Sequence, residues 1–212
     1  DGQDNRKNIT INKNKNYKNF DYAKKNNSHL YQFYNALDSY DFRVYLYEKF
    51  ADFLSQNGYL GSHIKGFMES ELDLQICQAS ANYENPFHVD MRRRVIHGLL
   101  YFGKENLIGG ELLLGKHKKR NLLDYRQIPL IEDIEETTSV DPEDNAGLLI
   151  LSTPNSYHKG QCGEGIRRFC YWGYNYQNND NCWIANPSWD KPMKFNKETL
   201  NYQKNVIYKN HS

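Results

Sequence analysis

The chain has no excess of either charge: 27 Lys and Arg stand against 26 Asp and Glu, giving a net charge of +1. Without a global field there is little to attract nucleic acid or an anionic membrane surface, and no basic stripe with interleaved aromatics marks a nucleic-acid face. No apolar run approaches the roughly 18 residues of a membrane-spanning helix. The four cysteines form no CxxC pair and no zinc-type spacing, so Cys77, Cys162, Cys170 and Cys182 read as free or buried thiols in a reducing compartment. A cytoplasmic location is the corresponding expectation. Neither an initiator methionine nor a signal-peptide pattern stands at Asp1, which leaves a processed or trimmed start open. There is no internal repeat. What the chain has in plenty is tyrosine, 17 residues within an aromatic fraction of 14%, a composition that favours strands and pockets over disorder. Its 212 residues suffice for one domain with a sizeable core.

Residues 1–28 are rich in Asn, Lys and Asp and poor in apolar side chains. They are expected to form a flexible arm ahead of a single domain at 29–212. From Leu30 the period is helical. Leu30, Phe33, Tyr34 and Leu37 make one stripe; Leu46, Phe50, Phe53 and Leu54 make a second, which Asn57-Gly58 would cap. One or two helices over 30–57 should therefore pack on the outside of a sheet. The period then drops to two. Leu72, Leu74 and Ile76 alternate with Asp73, Gln75 and Cys77, and further strands are expected at Arg94 to Phe102, Glu111 to Leu114, Gly147 to Leu151 and Ile166 to Tyr174. The charged, irregular stretch 115–146 reads as a surface insertion or lid. The fold class is α+β, mainly β.

The segment Asn85-Pro86-Phe87-His88-Val89-Asp90 carries the chemistry. Alternate side chains of an extended strand point the same way, so His-x-Asp sets an imidazole beside a carboxylate. His158, arriving from another strand, would complete a set of two histidines and one carboxylate. Such a set leaves adjacent positions open on the metal and is diagnostic of non-haem Fe(II) oxygenases. His88, Asp90 and His158 are thus the candidate metal ligands and catalytic centre.

Taken with Gly109-Gly110-Glu111-Leu112, the stretch from Ser152 to His158, and Gly165-Ile166-Arg167-Arg168, the pattern over about residues 70–176 resembles a known core. It is similar to the double-stranded β-helix (jelly-roll) of the 2-oxoglutarate/Fe(II)-dependent dioxygenases, in their prolyl-hydroxylase-like branch. The resemblance implies that barrel with flanking N-terminal helices, Fe(II) as the metal, 2-oxoglutarate as co-substrate, and ascorbate as an auxiliary reductant. It also implies a basic residue deep in the barrel for the distal carboxylate of the co-substrate, a task suited to arginine's planar fork. Arg167 and Arg168 stand nine and ten positions beyond His158, where the family keeps this residue. Only one of two strand neighbours can face inward. The Gly-x-Arg pattern favours Arg167, whereas alternation that puts the small Cys170 next inward favours Arg168, and Arg168 is preferred. Tyr101 shares a strand face with His97 and Leu99 and is the third candidate for the distal carboxylate. His97 reads as a pocket wall or core residue. Leu99 and Trp172 are expected to line a dry barrel.

The reaction implied is hydroxylation of a C–H bond in a peptidyl or small-molecule substrate, with release of succinate and carbon dioxide. Asp90 disfavours halogenation, for which the family gives up that carboxylate. Two other classes compete. One is a cupin-like metal-binding β-barrel, or an enzyme that uses the same ligands without 2-oxoglutarate, and the arginine pair speaks against it. The other is a non-catalytic binding module, against which the intact ligand set speaks. Met91-Arg92-Arg93-Arg94 follows the metal motif directly, and suits either contact with an acidic substrate or a salt-bridged loop. No membrane or nucleic-acid partner is expected, and substrate identity and oligomeric state are not legible.

Overall fold

Period-two alternation along residues 71–80, 94–108 and 164–175 becomes three adjacent strands at the centre of an antiparallel sheet. The structure is a computed structural model that describes residues 5–51, 67–91, 93–118, 129–152 and 156–175. In chain order the elements are β1 (Arg6–Ile11), α1 (Tyr17–Asn26), α2 (Ser28–Leu37), α3 (Tyr40–Lys49), β2 (Glu71–Ser80), β3 (Tyr83–His88), β4 (Arg94–Ile108) and β5 (Leu112–His117). A short 3-10 turn (Ile131–Asp133) then leads into β6 (Ile134–Val140), β7 (Gly147–Leu151), β8 (Tyr157–Cys162) and β9 (Glu164–Asn175). One sheet runs β1-β2-β9-β4-β7 and the other β3-β8-β5-β6. All the pairings are antiparallel.

The five-stranded sheet is apolar on both faces. Leu72, Leu74, Trp172 and Tyr174 point out, where they pack with Tyr34 and Leu37 of α2 and Leu46 of α3. Two phenols tie that layer down: Tyr174 Oη donates to the Leu37 carbonyl at 2.5 Å and Tyr34 Oη to the Leu72 carbonyl at 3.3 Å. Cys77, Leu99, Tyr101 and Phe169 point the other way and meet Tyr83, Leu112 and Cys162 of the four-stranded sheet. The helices start where side chains satisfy their free amides. Asn27 accepts from Leu30 N at the start of α2 and Ser39 from Phe42 N at the start of α3.

Several expectations change. The Asn-rich tract is not a loose arm: β1 pairs with β2 over its whole length, Ile11 is buried, and α1 follows. Its order comes from polar turns rather than an apolar stripe. The fully buried Asn12 donates to Asp73 Oδ1 at 2.5 Å and accepts from the amides of Asn14 and Lys15 at 2.8 Å each. The stretch 115–146 is not an irregular lid over its described part, because β5 and β6 pair there as a hairpin. Trp172 does not line the space between the sheets; it packs outward, edge-on to Phe33 with ring centres 6.3 Å apart. The cap at Asn57-Gly58, together with Phe53, Leu54, Arg92, Cys182, Trp183 and Trp189, lies outside the described residues. Cys77, Cys162 and Cys170 are free and buried. No helix among the described residues is long and apolar enough to cross a membrane.

Candidate metal centre

His88 closes β3, Asp90 lies two residues on, just past the strand end, and His158 is the second residue of the neighbouring β8. The register of the two strands sets His88 directly opposite His158. One ligand atom from each of the three side chains lies within 4.8 Å of the others, and the two rings are 4.3 Å apart at their centres. Both rings are aimed by the same local device. His88 Nδ1 donates to the Pro86 carbonyl at 2.8 Å and His158 Nδ1 to the Ser156 carbonyl at 3.1 Å, each two residues back along the chain. A carbonyl can only accept, so the proton sits on Nδ1 and Nε2 is left as the acceptor atom, which in His88 meets the side-chain amide of Asn85 at 3.3 Å. Burial, then the nearby His97, pushes His158 down to about 3. It is neutral at neutral pH, the form that ligates.

Asp90 divides its oxygens. Oδ1 faces His88 Nε2 at 3.9 Å. Oδ2 accepts from Tyr171 Oη at 2.6 Å and Arg94 Nη1 at 3.3 Å, with His97 Nδ1 at 2.9 Å. Burial alone would raise this carboxyl, but His97, Arg94 and His158 outweigh it and hold Asp90 well below the usual carboxylate range. Arg94 is itself held by Tyr171 and by Asn175 Oδ1 at 3.1 Å, and Asn175 donates to Asp73 at 2.8 Å. His97 is fully buried, touches Ser152 Oγ at 3.3 Å, and keeps Nε2 without a partner. It stands as a wall of the centre, 5.1 Å from the His158 ring, and outside the set of three converging ligand atoms.

Further along the same face of β8, Gly160 lies two residues from His158, roughly 6.6 Å away at the rise of a strand. A Cβ placed there would sit 3.5 Å from Arg167 Nη2. Arg167 is 2% exposed, donates to the Gly110 carbonyl, and has its guanidinium over the rings of Tyr83, Tyr101 and Phe169. Gly110 can turn that carbonyl inward because its backbone is left-handed, at φ +97°. Arg167 has no carboxylate partner among the described residues, and its Nε is buried without any partner. The Tyr101 hydroxyl is in the same condition, and burial keeps it protonated as a donor.

The preference for Arg168 as the inward arginine is therefore corrected. Its guanidinium lies at the sheet surface, 2.7 Å from Glu105 and 3.3 Å from Gln78. The reasoning from Cys170 fails because the outer face of β9 is covered by helices, so a small buried residue there does not mark the side between the sheets. Reasoning from sequence also missed Tyr171 and the inward role of Arg94. Once Arg167 is placed inside, alternation puts Phe169 and Tyr171 on the same face. No comparable signal existed for Arg94, which opens a strand next to an irregularity between Arg94 and Ile96.

No protein-family model matches the chain, and no curated protein matches it. Solved structures do. The chain is similar to a prolyl-4-hydroxylase of Pseudomonas putida, with 15% identity and a TM-score of 0.47 over 80% of this chain and 68% of that one. It is also similar to a prolyl hydroxylase from Trichoplax adhaerens, solved with a peptide fragment of the hypoxia inducible factor oxygen degradation domain, with 17% identity and a TM-score of 0.38 over 57% and 51%. A third is an oxidoreductase of the 2OG-Fe(II) oxygenase family from Burkholderia pseudomallei, at 14% identity and a TM-score of 0.34 over 56% and 53%.

Proposed function

We propose that the chain is an Fe(II)- and 2-oxoglutarate-dependent oxygenase built on a double-stranded β-helix, which hydroxylates a C–H bond of a peptidyl or small-molecule substrate. One observation carries the reading. Two imidazoles and one carboxylate converge within 4.8 Å, and beside Gly160 of the His158 strand lies the buried Arg167 guanidinium, with no acidic partner among the described residues. Two nitrogens and one oxygen donor from His88, Asp90 and His158 suit Fe(II) and leave adjacent positions open. Bound there, iron and the keto acid would supply dioxygen activation and the oxidation of the substrate C–H bond.

The chain's own part is positioning. Arg167 and Tyr101 would receive the distal carboxylate of the co-substrate, the arginine as a fork and the phenol as a single donor. Their buried, unsatisfied atoms mark where an anion is needed, since an uncompensated buried cation costs several kcal/mol. Gly160, with no side chain, leaves the line between His158 and Arg167 clear. Leu99 and Phe169 keep the compartment dry. His88, whose side chain is 16% exposed, marks the open side from which substrate would approach. A cupin-like centre that works without 2-oxoglutarate would leave the buried charge of Arg167 unexplained.

The test is direct. Purified protein given Fe(II), ascorbate and 2-oxoglutarate is expected to form succinate even without substrate. Iron bound but no succinate formed would leave only a metal-binding barrel.

A further inference from the structure

A second guanidinium enters the same compartment from an unexpected place. Arg6 lies on the edge strand β1, opposite Ala79 of β2. Its side chain crosses the inner face of β2, where Nη2 donates to Gln75 Oε1 at 2.8 Å and to Cys77 Sγ at 3.1 Å. Nη1 reaches Tyr83 Oη at 3.5 Å. Its Cζ is 5.4 Å from the centre of the Phe169 ring, the ring that also carries Arg167 at 5.0 Å. Tyr83 is shared in the same way, with Arg167 over its face at 6.0 Å. Arg6 Nε, like Arg167 Nε, is buried and has no hydrogen-bond partner.

Neither arginine has a carboxylate partner among the described residues. Burial pushes the Cys77 thiol up, so it stays protonated and brings no negative charge to Arg6. Two positive groups thus lean on one ring, and neither finds a counter-charge among the described residues. An anion from outside the chain would relieve both at once. The distal carboxylate of a keto diacid offers two oxygens with several acceptor sites, enough for Arg167 and for the unused donors of Arg6.

We infer that Arg6 is the second cation of the co-substrate site, so that β1 helps to bind the distal carboxylate that Arg167 grips. This rests on the 2-oxoglutarate reading above. It also makes the N-terminal strand part of the binding site rather than a decoration of the sheet edge.

The experiment compares two keto acids on the full-length, Mn(II)-loaded protein by calorimetry. They are 2-oxoglutarate and 2-oxopentanoate, which keeps the chelating end and lacks the distal carboxylate. Arg6→Gln is expected to raise the Kd for 2-oxoglutarate about tenfold or more and that for 2-oxopentanoate by less than about twofold. Arg6→Lys, which keeps a charge but not the fork, is expected to fall between wild type and Arg6→Gln. It also serves if Arg6→Gln does not fold. An equal loss for both acids means that Arg6 only supports β1, and an unchanged 2-oxoglutarate Kd means that it does not reach the ligand; either result overturns the inference. Arg167→Gln separates the two claims. If it abolishes the preference for the diacid and the Arg6 variants do not, the 2-oxoglutarate reading stands and the role of Arg6 falls. If wild type binds neither acid, both fall.

Discussion

Asp90 Oδ2 accepts from Tyr171 and Arg94 and lies 2.9 Å from His97, while Oδ1 faces His88. With one oxygen held by the protein, the carboxylate is arranged to offer a single oxygen to a metal. Tyr171→Phe removes one of these donors without changing the ring that packs beside His97 and Arg94. Loss of an outer partner of this kind typically costs about 10- to 100-fold in metal affinity. We expect a drop of that order in the Mn(II) or Co(II) affinity of Tyr171→Phe, with the Co(II) absorption spectrum altered and the fold retained. An unchanged affinity would mean that Arg94 and His97 hold Asp90 without help. That His88, Asp90 and His158 would converge was legible from residue type and spacing. The inward arginine was not, because both faces of β9 are buried and burial alone cannot tell the side between the sheets from the helix side.

At the scale of elements, the strands found from sequence are those with an apolar run or face: β2, β4, β5, β7 and β9. Two that escaped, β1 and β6, are edges. In β6 the run Glu135 to Ser139 is exposed, and in β1 Lys7, Asn8 and Ile9 are exposed, so neither shows the alternation that marks a buried face. Charged and polar edge strands are how sheets avoid pairing with other chains, and the same property hides them from a periodicity search. What fixes β1 to α1 is the Asn12 side chain, with its bonds to Asp73, Asn14 and Lys15. Asn12→Ala would remove the hydrogen bonds of these part-buried groups, at a cost of about 1 kcal/mol. The expected result is a lower urea midpoint with an unchanged slope. A midpoint equal to wild type would mean that water replaces the side chain there.

Across the whole molecule, the candidate ligands belong to one layer and their supports to the other. His88 and His158 come from β3 and β8 of the four-stranded sheet, with Asp90 just after β3. Arg94, His97 and Tyr171 come from β4 and β9 of the five-stranded sheet. A metal that binds only the folded form stabilises it by about 2.7 kcal/mol at a hundredfold excess over its Kd. We expect Mn(II) to raise the melting temperature by roughly 5–10 °C and EDTA to reverse the shift. His158→Ala should abolish the effect, and a shift that survives that substitution would locate the ion elsewhere. Because Asp90 is gripped from behind by the opposite layer, an ion held on its front would act as a rivet through the sandwich. Loading the centre would then lock the spacing between the two layers as well as fill a site.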